Sequence, residues 1–355
     1  MTCRLPFLLC ALLALPNGAH ADEITQLMER GHWKEARAAV ETLARSRPGD
    51  ARTLYLTSRV KVAFNQTEEA LALAEKASAL EPGNAEYHCQ VSQVCGSLTQ
   101  GAGKLKAFSL ARRVRKEAEQ ALALDPGHLD AKEVLIDFYS IAPGLVGGDN
   151  KKAAGLAAEM VRAAPARGLL AQAQLALRAK NEARAESLCL RAITADPSSY
   201  DAHMALARFY TSESRKQWDQ AEKHARAAVG VDPERIGAYS GLAGLFAHLE
   251  RWNDLDAALT EAERKVPDNL APHYQAARIL LNDGRELGRA ERYLRRYLTR
   301  DPEGAAPSWA HAHWRLGLVL DKQGRKPEAI AELETALKLN PELDQAKKDL
   351  KRIKK

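Results

Sequence analysis

The sequence predicts an all-α solenoid of about nine helix–turn–helix units closed by a C-terminal helix. Three observations predict it. Nine prolines recur along the chain: Pro48, Pro82, Pro126, Pro165, Pro197, Pro233, Pro267, Pro302 and Pro341, at spacings of 32 to 44 residues. A period near 34 is the length of one helix–turn–helix repeat. Small residues also recur at fixed distances before each proline. The twelfth position back reads Ala36, Ala70, Val114, Ala153, Ala185, Ala221, Leu255, Ala290 and Ala329. The fifth reads Leu43, Ala77, Ala121, Met160, Ala192, Ala228, Ala262, Tyr297 and Ala336. Such columns let a second helix (B) cross the first (A) closely, and alanine is also the best helix former. Finally, helix A repeats a large–Leu–small–aromatic spacing, as in His203, Leu206-Ala207, Tyr210 and in Tyr239, Leu242-Ala243, Phe246. Those residues share one helical face.

In chain order, Met1–Ala21 reads as a cleaved leader. Arg4 gives a positive start, Phe7–Leu15 is an apolar run too short to span a bilayer, and Ala19-His20-Ala21 offers small residues for a signal peptidase. Cleavage is expected after Ala21, with Pro16-Asn17-Gly18 keeping that stretch open. The solenoid is assigned to residues 22–341. Each proline ends a helix B, because it lacks an N–H and disfavours helical backbone in the residue before it. Gly31, Asn65, Gly148, Gly284 and Gly324 are expected at the A–B turns.

Two units depart from the rhythm. The third is about ten residues longer, with Ser97–Lys104 expected between its helices. The fourth carries the loop Ile141–Gly148, where Pro143-Gly144 and Gly147-Gly148 suggest a fixed tight shape. Residues 342–355 read as a polar capping helix. Its basic run Lys347–Lys355 suits a helix C-terminus, with anchoring on an anionic surface as the alternative.

The proline rhythm and both small-residue columns resemble the tetratricopeptide repeat family over about Asp22–Pro341. The last unit fits best: His313, Leu316-Gly317, Leu320, Gly324, Ala329, Leu333, Pro341. The loop after Asp137-Phe138-Tyr139 resembles a variant found in exported bacterial members. The resemblance implies a right-handed superhelix with A helices lining a concave face. It also implies that residues seven and eleven places after each proline face a partner. Those are Tyr55 and Arg59, Cys89 and Gln93, Glu133 and Asp137, Met204 and Arg208, Ser240 and Gly244, Tyr274 and Arg278. In the last unit a shifted register gives Trp314 and Leu318. The Lys-x-x-x-Asn and Lys-x-x-x-Arg helices with which some members clamp a C-terminal carboxylate do not occur at these positions. Arg and Tyr are common at binding hot spots.

Composition narrows the function. The net charge is +6, about +5 without Arg4, with acids and bases interleaved. No aromatic-interleaved basic stripe supports nucleic-acid binding, and no segment after the leader suits a membrane span; peripheral association with the envelope is left open. Cys89, Cys95 and Cys189 follow the leader. Cys89 and Cys95 fall about 9 Å apart along one helix, beyond disulfide reach, so all three are expected as buried side chains. Gly101-Ala102-Gly103-Lys104 lacks the first glycine and the final Ser/Thr of a phosphate loop. His311 and His313 point about 200° apart on a helix and cannot chelate together. There is no His-Glu-x-x-His and no Gly-x-Ser-x-Gly. No cofactor, metal or catalytic residue is expected.

The expected function is an exported scaffold or adaptor, periplasmic or secreted, that binds protein or peptide segments in its concave groove. The alternative is an enzyme-associated regulatory subunit using Glu133, Asp137 and the Gly144–Gly148 loop. A structural spacer is the third reading.

Overall fold

A computed structural model describes residues 17–304 and 307–355. The leader's apolar run therefore lies outside the described residues. Nine antiparallel helix pairs follow one another. The first is α1 (Asn17–Arg30) with α2 (Trp33–Ser46), and the second α3 (Ala51–Ala63) with α4 (Thr67–Leu80). Next come α5 (Ala85–Thr99) with α6 (Lys104–Leu124), and α7 (Leu129–Ile141) with α8 (Asn150–Ala163). The fifth and sixth pairs are α9 (Pro165–Arg178) with α10 (Glu182–Ala195), and α11 (Tyr200–Tyr210) with α12 (Trp218–Val231). The last three are α13 (Ile236–His248) with α14 (Trp252–Lys265), α15 (Ala271–Asp283) with α16 (Leu287–Tyr297), and α17 (Trp309–Lys322) with α18 (Lys326–Leu339). A single helix, α19 (Asp344–Lys354), ends the stack. Each of the nine prolines follows a helix B.

The small-residue columns are the core of each pair. Alanines 36, 70, 153, 290 and 329 are wholly buried, as are 77, 121, 192, 228 and 336. In the last pair a Cβ on Gly317 would come within 2.8 Å of Leu333. Helices packed this closely bury their apolar face only against neighbouring units, so the core runs along the stack as a series of clusters, each spanning neighbouring units.

Four details differ from expectation. The extra residues of the third unit are helix, not loop: α6 is 21 residues long, and only Gln100–Gly103 separates it from α5. In the fourth unit the left-handed residue is Gly147, at φ +106°, rather than Gly148. Gly148 is needed for closeness, since a Cβ there would sit 1.8 Å from the Ala142 carbonyl oxygen. Pro165 both follows α8 and opens α9, with no connecting loop. Gly168 makes that possible, because a Cβ there would sit 2.2 Å from the Val161 nitrogen. Finally, α1 begins at Asn17, so Asn17-Gly18 is helical rather than open, and the expected cut after Ala21 falls inside α1. Its buried anchors, Ile24 and Met28, lie beyond the cut.

The stack coils until its first unit meets the connections after α12, α14 and α16. Arg30 pairs with Asp232 at 3.5 Å and with Glu234. Lys34 Nζ donates to the carbonyls of Asp268 and Asp301, at 2.7 and 3.2 Å, and pairs with Glu303. Gly304 lies against the Ala63 carbonyl. This seam turns the concave face into a lumen.

The tail packs rather than hangs free. Ala346 and Ile353 are buried, Arg352 pairs with Asp321 at 3.0 Å, and Lys354 pairs with Glu334 at 2.7 Å.

Candidate functional site

Of the residues eleven places after the prolines, all but the buried Gly244 reach the lumen surface. Gln93 and Arg208 are exposed, and Arg59, Asp137 and Arg278 are half-buried. Residues seven places after are mostly covered, because the helix has turned a further ~40° between them. Tyr55, Cys89, Met204 and Tyr274 are all buried; Glu133 and Ser240 are half-buried.

Tyr55 and Tyr274, expected as groove anchors, are therefore core residues. The Tyr55 hydroxyl donates to Glu86, and its ring lies 5.2 Å from that of Tyr87. Burial, chiefly, holds this phenol far above its ordinary range. Tyr274 accepts from Arg315 Nε at 2.7 Å and packs 5.3 Å from the Tyr297 ring. Trp314 is likewise not open groove. Its Nε1 donates to Asp349 of α19 at 2.9 Å, and it packs half-buried against the core cluster beneath that helix.

Asp130, Glu133 and Asp137 of the groove are already matched. Glu133 receives two bonds from Arg167, at 2.5 and 2.7 Å, and the same guanidinium reaches Asp130. The Glu133 hydrogen bond is the largest influence on Arg167 and raises it above the usual arginine range, against the opposing effect of burial. Asp137 pairs with Arg178 at 2.8 Å, and Arg178 also reaches Ser140. Arg235 repeats the motif on Asp201 at 2.9 Å. In each case an arginine of one unit closes on a carboxylate of the unit before. Arg59, Glu133, Asp137, Arg167, Asp201 and Arg235 line a space of about 820 Å³.

Arg208 and Arg278 differ: neither has a carboxylate partner among the described residues. Arg278 Nε donates only to Gln275 Oε1, at 3.1 Å. The two flank a slot of about 530 Å³ whose floor is Ser240, Gly241 and Gly244 of α13. Elsewhere successive A helices touch lightly, but α13 lies along α15 as closely as a helix lies on its own B partner. Gly244 permits this, since a Cβ there would already stand 3.0 Å from Gln275 Nε2.

A third space, of about 810 Å³, lies between α5, α6 and α7 and is lined by Gly96, Phe108, Val114, Val134, Phe138 and Val146. Pro143 is on its rim, and Gly144 opens a single 3₁₀ turn, Gly144–Val146. The turn is held by Val146 and Gly148 N–H groups donating to the Pro143 carbonyl, at 2.8 and 3.1 Å. Gly147 leaves room for the Arg115 guanidinium, which a Cβ would overlap. Leu105, Leu145 and Ile141, near this opening, are 90%, 87% and 67% exposed.

The sequence reading missed Arg167 and Arg178. The fifth unit lost its register when α9 began at the proline itself, and the 32-residue spacing from Pro165 to Pro197 was the available sign. Cys89, Cys95 and Cys189 are free and buried. Burial pushes the Cys95 and Cys189 thiols up to about 11, and Cys89 further, which suppresses nucleophilic thiolate. Among the described residues no group of three His, Cys, Asp or Glu could hold a metal ion, and no helix is long and apolar enough to cross a membrane.

Residues 21–85 and 310–343 match tetratricopeptide repeat models. Yeast Tom70 superposes with a TM-score of 0.50 at 15% identity, over 95% of this chain and 87% of that one. Human IFIT1, solved as a dimer with PPP-AAAA, superposes with a TM-score of 0.50 at 16% identity, over 94% and 81%. No curated protein matches the sequence. Two stretches of the chain are thus tetratricopeptide repeats and the whole has an α-solenoid fold, an architecture that supports a protein–protein interaction scaffold.

Proposed function

We propose that the chain is an exported scaffold that holds a segment of a protein partner in its lumen, chiefly at α11, α13 and α15. The observation that carries this is the slot between Arg208 and Arg278, whose cations have no carboxylate partner among the described residues while Asp130, Glu133 and Asp137 are each closed by an arginine. Unmatched guanidiniums over a backbone-lined floor suit an incoming chain, which brings both acceptors and extended backbone. Glu133 and Asp137, held by arginines, serve as struts between units. Export rests on the leader pattern of Met1–Ala21, with the periplasm as destination.

Gly241 offers a clean test. It is exposed, and a Cβ there would meet only the end of Met204, at 3.9 Å. Gly241→Leu therefore fills the slot without disturbing the backbone. Crosslinked partners of the wild type are expected to disappear in this variant, and an unchanged partner list would refute the groove reading. For export, the N-terminal residue of protein from fractionated cells is expected to be Asp22; an intact leader on cytoplasmic protein would refute it.

A second reading places the functional site at the third and fourth units. The exposed Leu105, Ile141 and Leu145 beside an apolar cleft favour it. It predicts that Leu105→Ser with Leu145→Ser removes the crosslinked partners while Gly241→Leu keeps them.

A further inference from the structure

We infer that the slot between Arg208 and Arg278 selects an acidic segment in extended conformation, with one carboxylate for each arginine about six residues apart. This rests on the groove reading above and specifies its partner. The charges around the slot are few and accounted for. Glu213 pairs with Lys216 at 3.0 Å, and His248 is bonded to Asp283 at 3.0 Å. Arg208 and Arg278 remain as two cations without counter-charge, so the slot is complementary to a doubly negative ligand.

The spacing follows from the helices. Arg208 stands on α11 and Arg278 on α15, with α13 between them. Neighbouring helix axes lie roughly 8–10 Å apart, so the two stems are separated by roughly 20 Å, or about six residues of extended chain at ~3.3 Å each. The middle helix presents Gly241 and Ser240 where its neighbours present long side chains. A peptide backbone can therefore lie across α13 without a side chain lifting it. The slot does not suit single-stranded nucleic acid, which needs exposed aromatic faces to stack bases. Its one large aromatic, Trp218, is packed on His248 at 5.0 Å.

The test uses the full mature chain and fluorescein-labelled octapeptides in an Ala/Ser background. One carries Glu at its first and seventh positions, a second carries Gln at both, and a third carries adjacent Glu residues. Fluorescence anisotropy is expected to show the spaced diacid binding at least tenfold more tightly than the other two. Arg208→Gln and Arg278→Gln should each weaken it about tenfold, one charge-assisted hydrogen bond's worth, and 0.5 M salt should weaken it further. Gly241→Leu should abolish binding while raising helix stability. Equal affinity for the Glu and Gln peptides, with loss in Gly241→Leu, would overturn the acidic partner and leave the groove reading standing. No binding of any peptide, or binding untouched by Gly241→Leu, would overturn the inference; partner crosslinking in cells then decides the groove reading separately. Tight binding of an oligonucleotide through the same arginines, with none of the peptide, would also overturn it.

Discussion

The lumen has two halves built from the same repeat positions and used oppositely. Along α7 and α9, Asp130, Glu133 and Asp137 are closed by Arg167 and Arg178 of the following helix. Along α11, α13 and α15, Arg208 and Arg278 face the lumen with no such closure, and glycine stands between them. The difference teaches that a charged residue at a groove position is informative only when its neighbours are known. A matched charge fixes one unit against the next, whereas an unmatched one is free for a ligand.

The sharpest way to break the comparison uses glycine in both halves. Gly168→Ala forces a Cβ into the α8 backbone and should cost about 3 kcal/mol. Gly241→Leu should instead add roughly 0.5–1 kcal/mol. Urea unfolding followed by circular dichroism distinguishes them, and equal effects would erase the distinction between a packing glycine and a floor glycine.

A second prediction concerns pH. Burial, chiefly, lowers His273 to about 4, with Glu263 opposing and Arg296 assisting. Burial, followed by His203 and Lys223, lowers His224 to about 4. Both are neutral in the fold at a pH where the unfolded chain already binds protons. Their stabilisation is thus complete above about pH 6.5 and lost progressively as pH falls toward about 4. The melting temperature should drop by roughly 5 °C from pH 7 to 4.5, and His273→Gln should flatten that slope. A flat wild-type profile would contradict the assignment.

Smaller effects sharpen the contrast in charge. Arg167→Ala should destabilise by about 1 kcal/mol, because it strands two carboxylates at a half-exposed site. Arg208→Ala should change stability by less than about 0.5 kcal/mol. Equal losses would mean that Arg208 is also structural. Least in energy, Arg30→Ala with Lys34→Ala should open the seam. Helix content should hold while small-angle scattering shows a larger radius of gyration; an unchanged radius would mean the seam does not hold the coil closed.

Much of the fold was legible in the sequence because its determinants are local and periodic. Proline ends each helix B, and alanine at two fixed offsets sets each helix crossing. Ala70 and Ala77, or Ala329 and Ala336, announce their burial by position alone. The groove was legible only in part. Arg59, Arg208 and Arg278 reach the lumen, but Tyr55 and Tyr274 turn inward, since four residues along a helix change the direction of a side chain by ~40°. Trp314 was misplaced because residues 342–355 read as a polar cap, whereas the stripe Leu343, Ala346, Leu350 and Ile353 packs α19 onto the last unit. The Arg167 pairing joins residues 34 apart, and nothing local marks it.

The most direct measurement places a photo-crosslinking residue at Thr211, on the edge of the slot, and separately at Leu145, beside the apolar cleft. The account predicts a discrete protein adduct from Thr211, absent when Gly241→Leu is added, and none from Leu145. An adduct from Leu145 alone would contradict it and move recognition to the third and fourth units.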